Sequence, residues 1–596
     1  MSKTFLIFRF AGKAIHLVWN TSRSLTFSLC LVTLTNGLLP AIIAYIGKLI
    51  VDQVILAAST KLVSDQNTAL LYVAFEAIAI IVFSASQKIT NVIQSLLRVL
   101  LGQKVNVLIL EKALTLDLQH FEDSEFYDKM TQARTQASTR PLSLINRIFG
   151  LIQYSITIIT FSGLLLQYSY VAVIVLLLAT IPSFIAETRF SEHAFRLFRW
   201  RAPETRQQHY LETLIAREDH AKEVKLFQLG PMLLERYRSI FNKLYIEDRN
   251  LTIQKGFWGY LLGILGTIAF YGAYAWMVME AIRGTISLGE MTMYLLLFRQ
   301  GQSTFSYALT SIGGMYEDNL YLANLYEFLE LPINKINGQH KTGRSKSGIR
   351  FSNVSFCYPG NEVPVLTNIS FMLKPGEKLA IVGENGSGKT TLIKLLTRLY
   401  EPTSGAIFLD DIDLKDWDLE SLHKRIGVIF QNFVQYQFTV GENIGVGDVQ
   451  NLNDKTKWLD ASEKGMAKPF IDSMSSSFDT QLGKWFKGGQ ELSGGQWQKI
   501  ALSRAFMRDQ ADILVLDEPT SAMDAEAEMN IFNHFRKLTQ NQMVILISHR
   551  FSTVRMADQI MVISKGKIIE HGSHSELLSL NGRYAHLFSL QAEGYK

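Results

Sequence analysis

Gly383-Glu384-Asn385-Gly386-Ser387-Gly388-Lys389-Thr390-Thr391 fits the phosphate-loop pattern G-x-x-x-x-G-K-[ST]. Its surroundings give the pattern mechanical meaning. Lys378–Val382 is a short apolar run that reads as a buried strand, and Leu392–Leu396 reads as a helix. A strand feeding a glycine loop and then a helix N-terminus aims backbone N–H groups and the positive helix end at a polyphosphate. In this reading Lys389 reaches the β- and γ-phosphates and the Thr390 hydroxyl holds Mg²⁺.

Two later stretches extend the chemistry. Ile513–Leu516 is an apolar strand that ends in Asp517-Glu518. Its continuous hydrophobicity suits a strand buried on both faces. Asp517 then stands beside the phosphate loop to help hold Mg²⁺, and Glu518 polarises the attacking water. Leu492-Ser493-Gly494-Gly495-Gln496 opens a predicted helix, Trp497–Met507. A second glycine-rich helix entrance is a second phosphate site, with the Ser493 hydroxyl as an added donor. One domain does not need two cradles for one γ-phosphate. Two domains facing head to tail can share them.

The chain has 596 residues, 48% of them hydrophobic and only 19% charged. That length calls for more than one domain, and that ratio leans towards a membrane protein. A net charge of +5 is small for the length and does not mark a nucleic-acid binder. The two cysteines, Cys30 and Cys357, fall in different predicted domains, so no disulfide framework is implied.

Residues 1–24 carry Lys3, Arg9, Lys13 and Arg23 and no acid, which places the N-terminus in the cytoplasm. The apolar run from Leu25 to Gly47 is too long for a signal peptide and reads as a membrane helix. Further spans are predicted near 69–93, 149–166, 169–186, 257–280 and 289–312. The outward loops are short and poor in Lys and Arg. The inward stretches, 94–148 and 187–256, are long and heavily charged, as the positive-inside rule demands. Their helical periodicity carries the membrane helices well beyond the bilayer. Their turning points, near His120–Gln132 and Ala216–Lys222, are charged surfaces suited to docking on a cytoplasmic ATPase, with Phe121, Phe126 and Tyr127 expected near Gln431.

The domain reading is a cytoplasmic segment 1–24, a six-helix membrane domain 25–330, a linker 331–348 and a nucleotide-binding domain 349–596. Asn334–Gly348 is the Gly/Ser/Lys/Asn-rich heart of that linker. Beyond it strands and helices alternate, which reads as α/β. Strands are predicted at Ile349–Phe356, Ile407–Leu409, Ile426–Ile429, Ile513–Leu516 and Met543–Ile547, with a helical insert at 450–475. Asp558–Glu570 reads as a hairpin turning at Lys565-Gly566.

These motifs, in this order, resemble an ATP-binding-cassette half-transporter of the exporter type, and the resemblance covers essentially the whole chain. It implies that Tyr358 stacks on adenine and that Gly383, Asn385, Gly386, Ser387, Gly388, Lys389, Thr390 and Thr391 form the Walker A loop. Gln431 matches the glutamine that senses Mg²⁺, and Ser493, Gly494, Gly495 and Gln496 the signature. Asp517 and Glu518 match the Walker B pair, Asp524 the D-loop acid and His549 the switch histidine. Glu518, His549 and Gln431 are thus the implied catalytic set, and Thr390, Gln431 and Asp517 the implied metal set. GKWFKGG-QELSGGQWQKIALSRAF, FQNFVQYQFTVGENIGVGD and HFEDSEFYDKM are similar to phrases in lantibiotic peptide exporters. One departure is that Lys484-Trp485-Phe486-Lys487 replaces the usual acidic E-x-G before the signature. A second departure is that the cysteine-peptidase domain fused to some peptide exporters has no counterpart among these residues, so cleavage of leader peptides is not expected.

The implied activity is ATP-driven export by alternating access, with Mg²⁺ and ATP as cofactors. The expected partners are a second, identical half-transporter, membrane lipid and a modified peptide cargo. A lipid or multidrug exporter is the alternative, and an ATP-gated channel or regulator the reading of another class. The expected setting is a bacterial cytoplasmic membrane, with both termini and the nucleotide-binding domain cytoplasmic. Inside the spans, Glu76 and Arg299 are ionisable residues at costly depth. They read either as an ion pair between helices or as groups facing a wet cavity, with Gln300 and Gln302 adding polarity beside Arg299.

Overall fold

The computed structural model describes residues 10–122, 130, 140–175, 181, 189–190, 196–197, 200–332, 338–340, 347–519 and 525–594. The chain forms two compact units. One comprises Met1–Thr115 and Ser124–Pro332, and the other Leu116–Asp123 and Ile333–Lys596.

The first unit is helical: Ala11–Thr21, Arg23–Thr60, Val63–Leu114, Arg140–Leu166, Ala202–Ala216, Glu218–Leu226, Gly230–Ile282 and Leu288–Leu329. Four helices are long and apolar enough to cross a membrane: Arg23–Thr60, Val63–Leu114, Pro141–Leu166 and Gly230–Ile282, with mean hydropathy of 1.9, 2.1, 1.7 and 1.6. Most of the fourth expected span lies outside the described residues. Helices of 52 and 53 residues extend far past the bilayer, since at about 1.5 Å per residue they reach nearly 80 Å against a core of about 30 Å. The inward turn expected near Ala216 is a break in which Arg217 adopts extended backbone between two helices.

Buried polar groups hold this unit together where water is scarce. Asn36 Nδ2 donates to Thr90 Oγ1 at 3.0 Å, and Thr157 Oγ1 donates to the Gly37 carbonyl at 2.9 Å. Gly37 is required at that crossing, because a Cβ there would lie 2.9 Å from Ile156. Pro40 sits inside Arg23–Thr60 without ending the helix. Around Ala41 and Ala44 an apolar core gathers Phe161, Leu165, Met277, Leu297 and Phe298.

Further along, Asp318 is fully buried and accepts from Arg147 Nε at 2.8 Å and Ser143 Oγ at 2.7 Å. Gly314 leaves the room the guanidinium needs, since a Cβ there would fall 1.8 Å from Arg147 Nη1.

The second unit is α/β. Strands Lys378–Gly383, Met543–Ile547, Ile513–Asp517 and Ile426–Ile429 run parallel in one sheet, extended by the hairpin Gln559–Ser564 and Lys567–Gly572. The hairpin turns at Lys565 (φ 46°) and Gly566 (φ 73°), as the sequence predicts. A second, antiparallel sheet orders Leu366–Leu373, Ile349–Phe356, Ser404–Leu409 and Ile412–Asp413. The strand Leu366–Leu373 is an addition to the sequence reading. Helices Lys455–Lys464 and Lys468–Asp472 fill the predicted insert. Arg425 is buried between the two sheets' ends, paired with Asp410 at 2.8 Å and Asp512 at 2.6 Å.

Leu116–Asp123 belongs to this unit although it lies in sequence between two membrane helices. Leu118 packs against the core, and Glu122 bonds Lys394 at 2.9 Å and Tyr400 at 2.5 Å. That places the segment by the expected adenine residue Tyr358, whereas the sequence reading sent its aromatics towards Gln431. Phe126 and Tyr127 lie outside the described residues.

Replacing Asp318 by Ala leaves the Arg147 guanidinium without its buried anion. Breaking a buried pair costs about 3–5 kcal/mol, and the partial exposure of Arg147 points to the low end. Thermal unfolding in detergent should show a clear drop in midpoint; an unchanged midpoint would remove this pair from the supports of the fold.

Candidate functional site

The strand Lys378–Gly383 is buried between parallel neighbours and delivers the chain to the phosphate loop. Gly383 admits no side chain, because a Cβ would lie 2.2 Å from the Ile563 carbonyl oxygen. Gly386 (φ 76°) and Gly388 (φ 102°) supply the left-handed turns that bring the loop round to the helix Lys389–Leu396. Asn385 is exposed in the loop.

Lys389 is 7% exposed, and its ammonium donates to the carbonyls of Gly383 and Glu384 at 2.8 Å each. Burial lowers its pKa, opposed by the charges of Glu518 and Asp517. Ser387 is 4% exposed and its Oγ has no hydrogen-bond partner. Buried polar groups are seldom left so. An unsatisfied hydroxyl, an ammonium and a helix N-terminus in one loop fit a phosphate group.

Thr390 Oγ1 donates to Asp517 Oδ2 at 3.0 Å. Asp517 ends the strand Ile513–Asp517, is 2% exposed, and has its pKa pushed up to about 6, chiefly by burial. A hydroxyl and a carboxylate side by side are oxygen ligands of the kind Mg²⁺ takes.

Glu518 follows in a left-handed backbone conformation, φ 49°, a strained state of the kind that gathers at functional sites. Its N–H donates to the Ile547 carbonyl at 3.0 Å, which fixes it against the adjacent strand end. One carboxylate oxygen accepts from Gln431 Nε2 at 2.9 Å. The other lies 3.1 Å from His549 Nε2, close but off the line of a good hydrogen bond. Burial and the charge of Lys389 lower the His549 pKa, which keeps the imidazole neutral at pH 7. Glu518 is therefore an anchored carboxylate that accepts from Gln431 on one oxygen and faces a neutral imidazole with the other.

Tyr358, in the loop just past the strand Ile349–Phe356, joins the same site: its hydroxyl is 3.1 Å from Thr391 Oγ1. The Lys394 ammonium sits 5.3 Å from the Tyr358 ring centre and 5.4 Å from that of Tyr400. Lys394, Tyr400 and Glu122 are side chains that the sequence reading missed. Glu122 and Lys394 are separated by 272 positions, and no local pattern joins them.

The structure does not bring Ser493, Gly494, Gly495 and Gln496 to this cradle: among the described residues no hydrogen bond links Ser493 or Gln496 to the loop. Ser493 and Gly494 are exposed. Ser493 caps the helix Gly494–Phe506, accepting from Gln496 N while the Gln496 side chain accepts from Ser493 N. The helix is tied down at its far end, where Arg504 donates to the Asn443 and Val434 carbonyls and lies 4.8 Å from the Tyr436 ring centre. Asp524 lies outside the described residues.

The sequence pattern described as "ABC transporter" matches residues 366–521. The subtilin transport ATP-binding protein of Bacillus subtilis is 34% identical over 573 residues, covering 95% of this chain and 91% of that protein. The nisin transport ATP-binding protein of Lactococcus lactis is 29% identical, covering 85% and 86%. An ATP-dependent lipid A-core flippase of Photobacterium profundum is 34% identical over 60% of each chain. A solved structure, of a bacterial Atm1-family ABC exporter with ATP bound, superposes with a TM-score of 0.80 at 21% identity, covering 96% and 98%.

The raised pKa of Asp517 has a sign. The unfolded carboxyl releases its proton near the ordinary 3.8, and the folded one near 6. The group therefore weighs against folding above pH 6, by about 3 kcal/mol at about 1.4 per unit, and ceases to do so below about pH 4. In buffer with EDTA and no nucleotide, Asp517→Asn should raise the melting temperature at pH 7.5 and raise it less at pH 5. A variant destabilised equally at both values would contradict the burial argument.

Proposed function

The chain belongs to the ABC transporter family, and on that premise we propose that it is an exporter that works as a dimer of two identical copies and carries a modified peptide across a bacterial cytoplasmic membrane. ATP hydrolysis coupled to transport through a multi-pass membrane domain follows from the family. The finer reading draws on two relatives named for subtilin and nisin, which match over most of the chain. Lipid export stays as the second reading, because lipid A-core flippases match over a shorter share.

The observation that carries the catalytic reading is Glu518, held by Gln431 on one oxygen and facing His549 with the other. In this proposal the loop N–H groups, Ser387 and Lys389 hold the β- and γ-phosphates, and Tyr358 stacks on the base. Thr390, Asp517 and Gln431 would hold Mg²⁺, which would neutralise charge on the phosphates. Glu518 orients the attacking water and takes its proton as the water oxygen bonds to the γ-phosphorus and the β–γ bridging bond breaks. Neutral His549 donates to the γ-phosphate oxygen. Ser493 of a second copy, exposed and pre-aligned by its cap, closes the site from the other side. The nucleotide-binding domain, proposed as residues 349–596, and both termini are cytoplasmic.

Glu518→Gln keeps the shape of the side chain and removes the base. It should lower ATP turnover by about two to four orders of magnitude while leaving nucleotide binding, measured by a fluorescent analogue. Near-normal turnover would move the base elsewhere.

Shared sites predict complementation. Mixing Ser493→Arg protein with Lys389→Ala protein puts both lesions in one composite site of the mixed dimer and leaves the other intact. ATPase should return in the mixture, measured against each variant alone. Absence of any recovery in mixed dimers isolated by two affinity tags would count against two independently competent sites.

A further inference from the structure

The helix Leu288–Leu329 is not among those apolar enough to cross a membrane on composition, although it is 42 residues long. One exposed strip of it is mainly polar, interrupted by Leu296. At about 100° per residue, Arg299, Ser303 and Thr310 lie within about 40° of one another, with Tyr307 and Gln300 along the edge. All five are exposed. The opposite face, with Met293, Leu297, Phe298 and Ala308, is buried in the unit. The helix therefore turns its apolar side to its neighbours and its polar side outward, the reverse of a lipid-facing helix.

Arg299 is the charged group of this face. It stands about 15 Å along the helix from its outer end, near the middle of a core of about 30 Å. Such a charge demands water or an anion. Among the described residues no carboxylate pairs with it. Glu76, the other ionisable residue at depth, lies half-buried beside Gly47 on Arg23–Thr60 and makes no ion pair with Arg299. The ion-pair alternative of the sequence reading is thus not what the structure holds. The Ser303 hydroxyl donates back to the Arg299 carbonyl at 2.9 Å, which leaves its lone pairs to accept from a ligand.

We infer that this face lines the path of the cargo and that Arg299 recognises an acidic side chain or terminal carboxylate of a peptide. The inference rests on the reading of the chain as an exporter and adds the charge of what it selects. Charge complementarity assigns the anion. The neutral hydroxyls and amide spread over about 16 Å of helix match the repeating amides of an extended peptide, whereas a lipid headgroup needs polarity at one depth only. The guanidinium can take a carboxylate through two parallel N–H bonds.

The test uses the full chain in proteoliposomes and an amphipathic peptide made with Glu, Gln or Lys at the same positions. ATPase stimulation is read as the ratio of half-saturating concentrations on the same protein, so that a general loss of activity cancels. The wild type should favour the Glu peptide over the Gln peptide by about tenfold, or about 1.4 kcal/mol. Arg299→Ala should bring that ratio to about one, and Arg299→Glu should turn the preference to the Lys peptide. Arg299→Gln carries the same test if the alanine variant does not assemble. A preference that survives in Arg299→Ala or Arg299→Gln overturns the proposal, as does a wild type that does not discriminate or that responds to phosphatidylglycerol alone. Failure of the exporter reading is a separate result: no ATP-dependent accumulation of any peptide or lipid probe by the wild type.

Discussion

Lys389 is a buried ammonium, and much of the second unit can be understood as the means of keeping it charged. Its protons go to two carbonyls of the loop that carries it, and two carboxylates, Asp517 and Glu518, offset the cost of burial. Those carboxylates can stand there only because parallel strands end at one edge. Ile513–Asp517 and Met543–Ile547 are paired in register up to Asp517 and Ile547. The same edge fixes Glu518, whose backbone is strained and whose N–H is anchored on Ile547. The proposed phosphate cradle, metal ligands and base thus share one alignment of strand ends.

The first unit answers a different constraint. In a bilayer a polar side chain must find a partner or face water. Asn36, Thr157 and Asp318 find partners on neighbouring helices, at Thr90, the Gly37 carbonyl, and Arg147 with Ser143. Glycines at positions 37 and 314 make the close approaches possible. Arg299 makes no ion pair among the described residues, and as a charge on an exposed face it points to function.

The readable parts of the fold were those where local pattern and tertiary role coincide. The parallel strands are unbroken apolar runs because both their faces are covered, so Ile426–Ile429 and Met543–Ile547 could be bounded to the residue. Ser493 and Gln496 read as a helix entrance, and they form a reciprocal cap. Leu366–Leu373 escaped because it belongs to the outer antiparallel sheet, alternates buried with exposed residues and carries Asn368 at φ 51°. Arg425 with its two aspartates, and Glu122 with Lys394 and Tyr400, escaped for a simpler reason. Their partners are distant in sequence, and only the fold brings them together. The sequence named Glu518, Gln431 and His549 by resemblance, but the way the first is held by Gln431 and faces His549 is visible only in the structure.

The central claim is that ATP draws two copies of this chain together at sites they share. A spin label at Lys487, exposed a few residues before Ser493, reports one inter-copy distance in a dimer of identical chains, once Cys30 and Cys357 are replaced. In proteoliposomes that distance should shorten when ATP and Mg²⁺ are added and lengthen again as the ATP is consumed. A distance distribution that is the same with and without nucleotide would contradict the account.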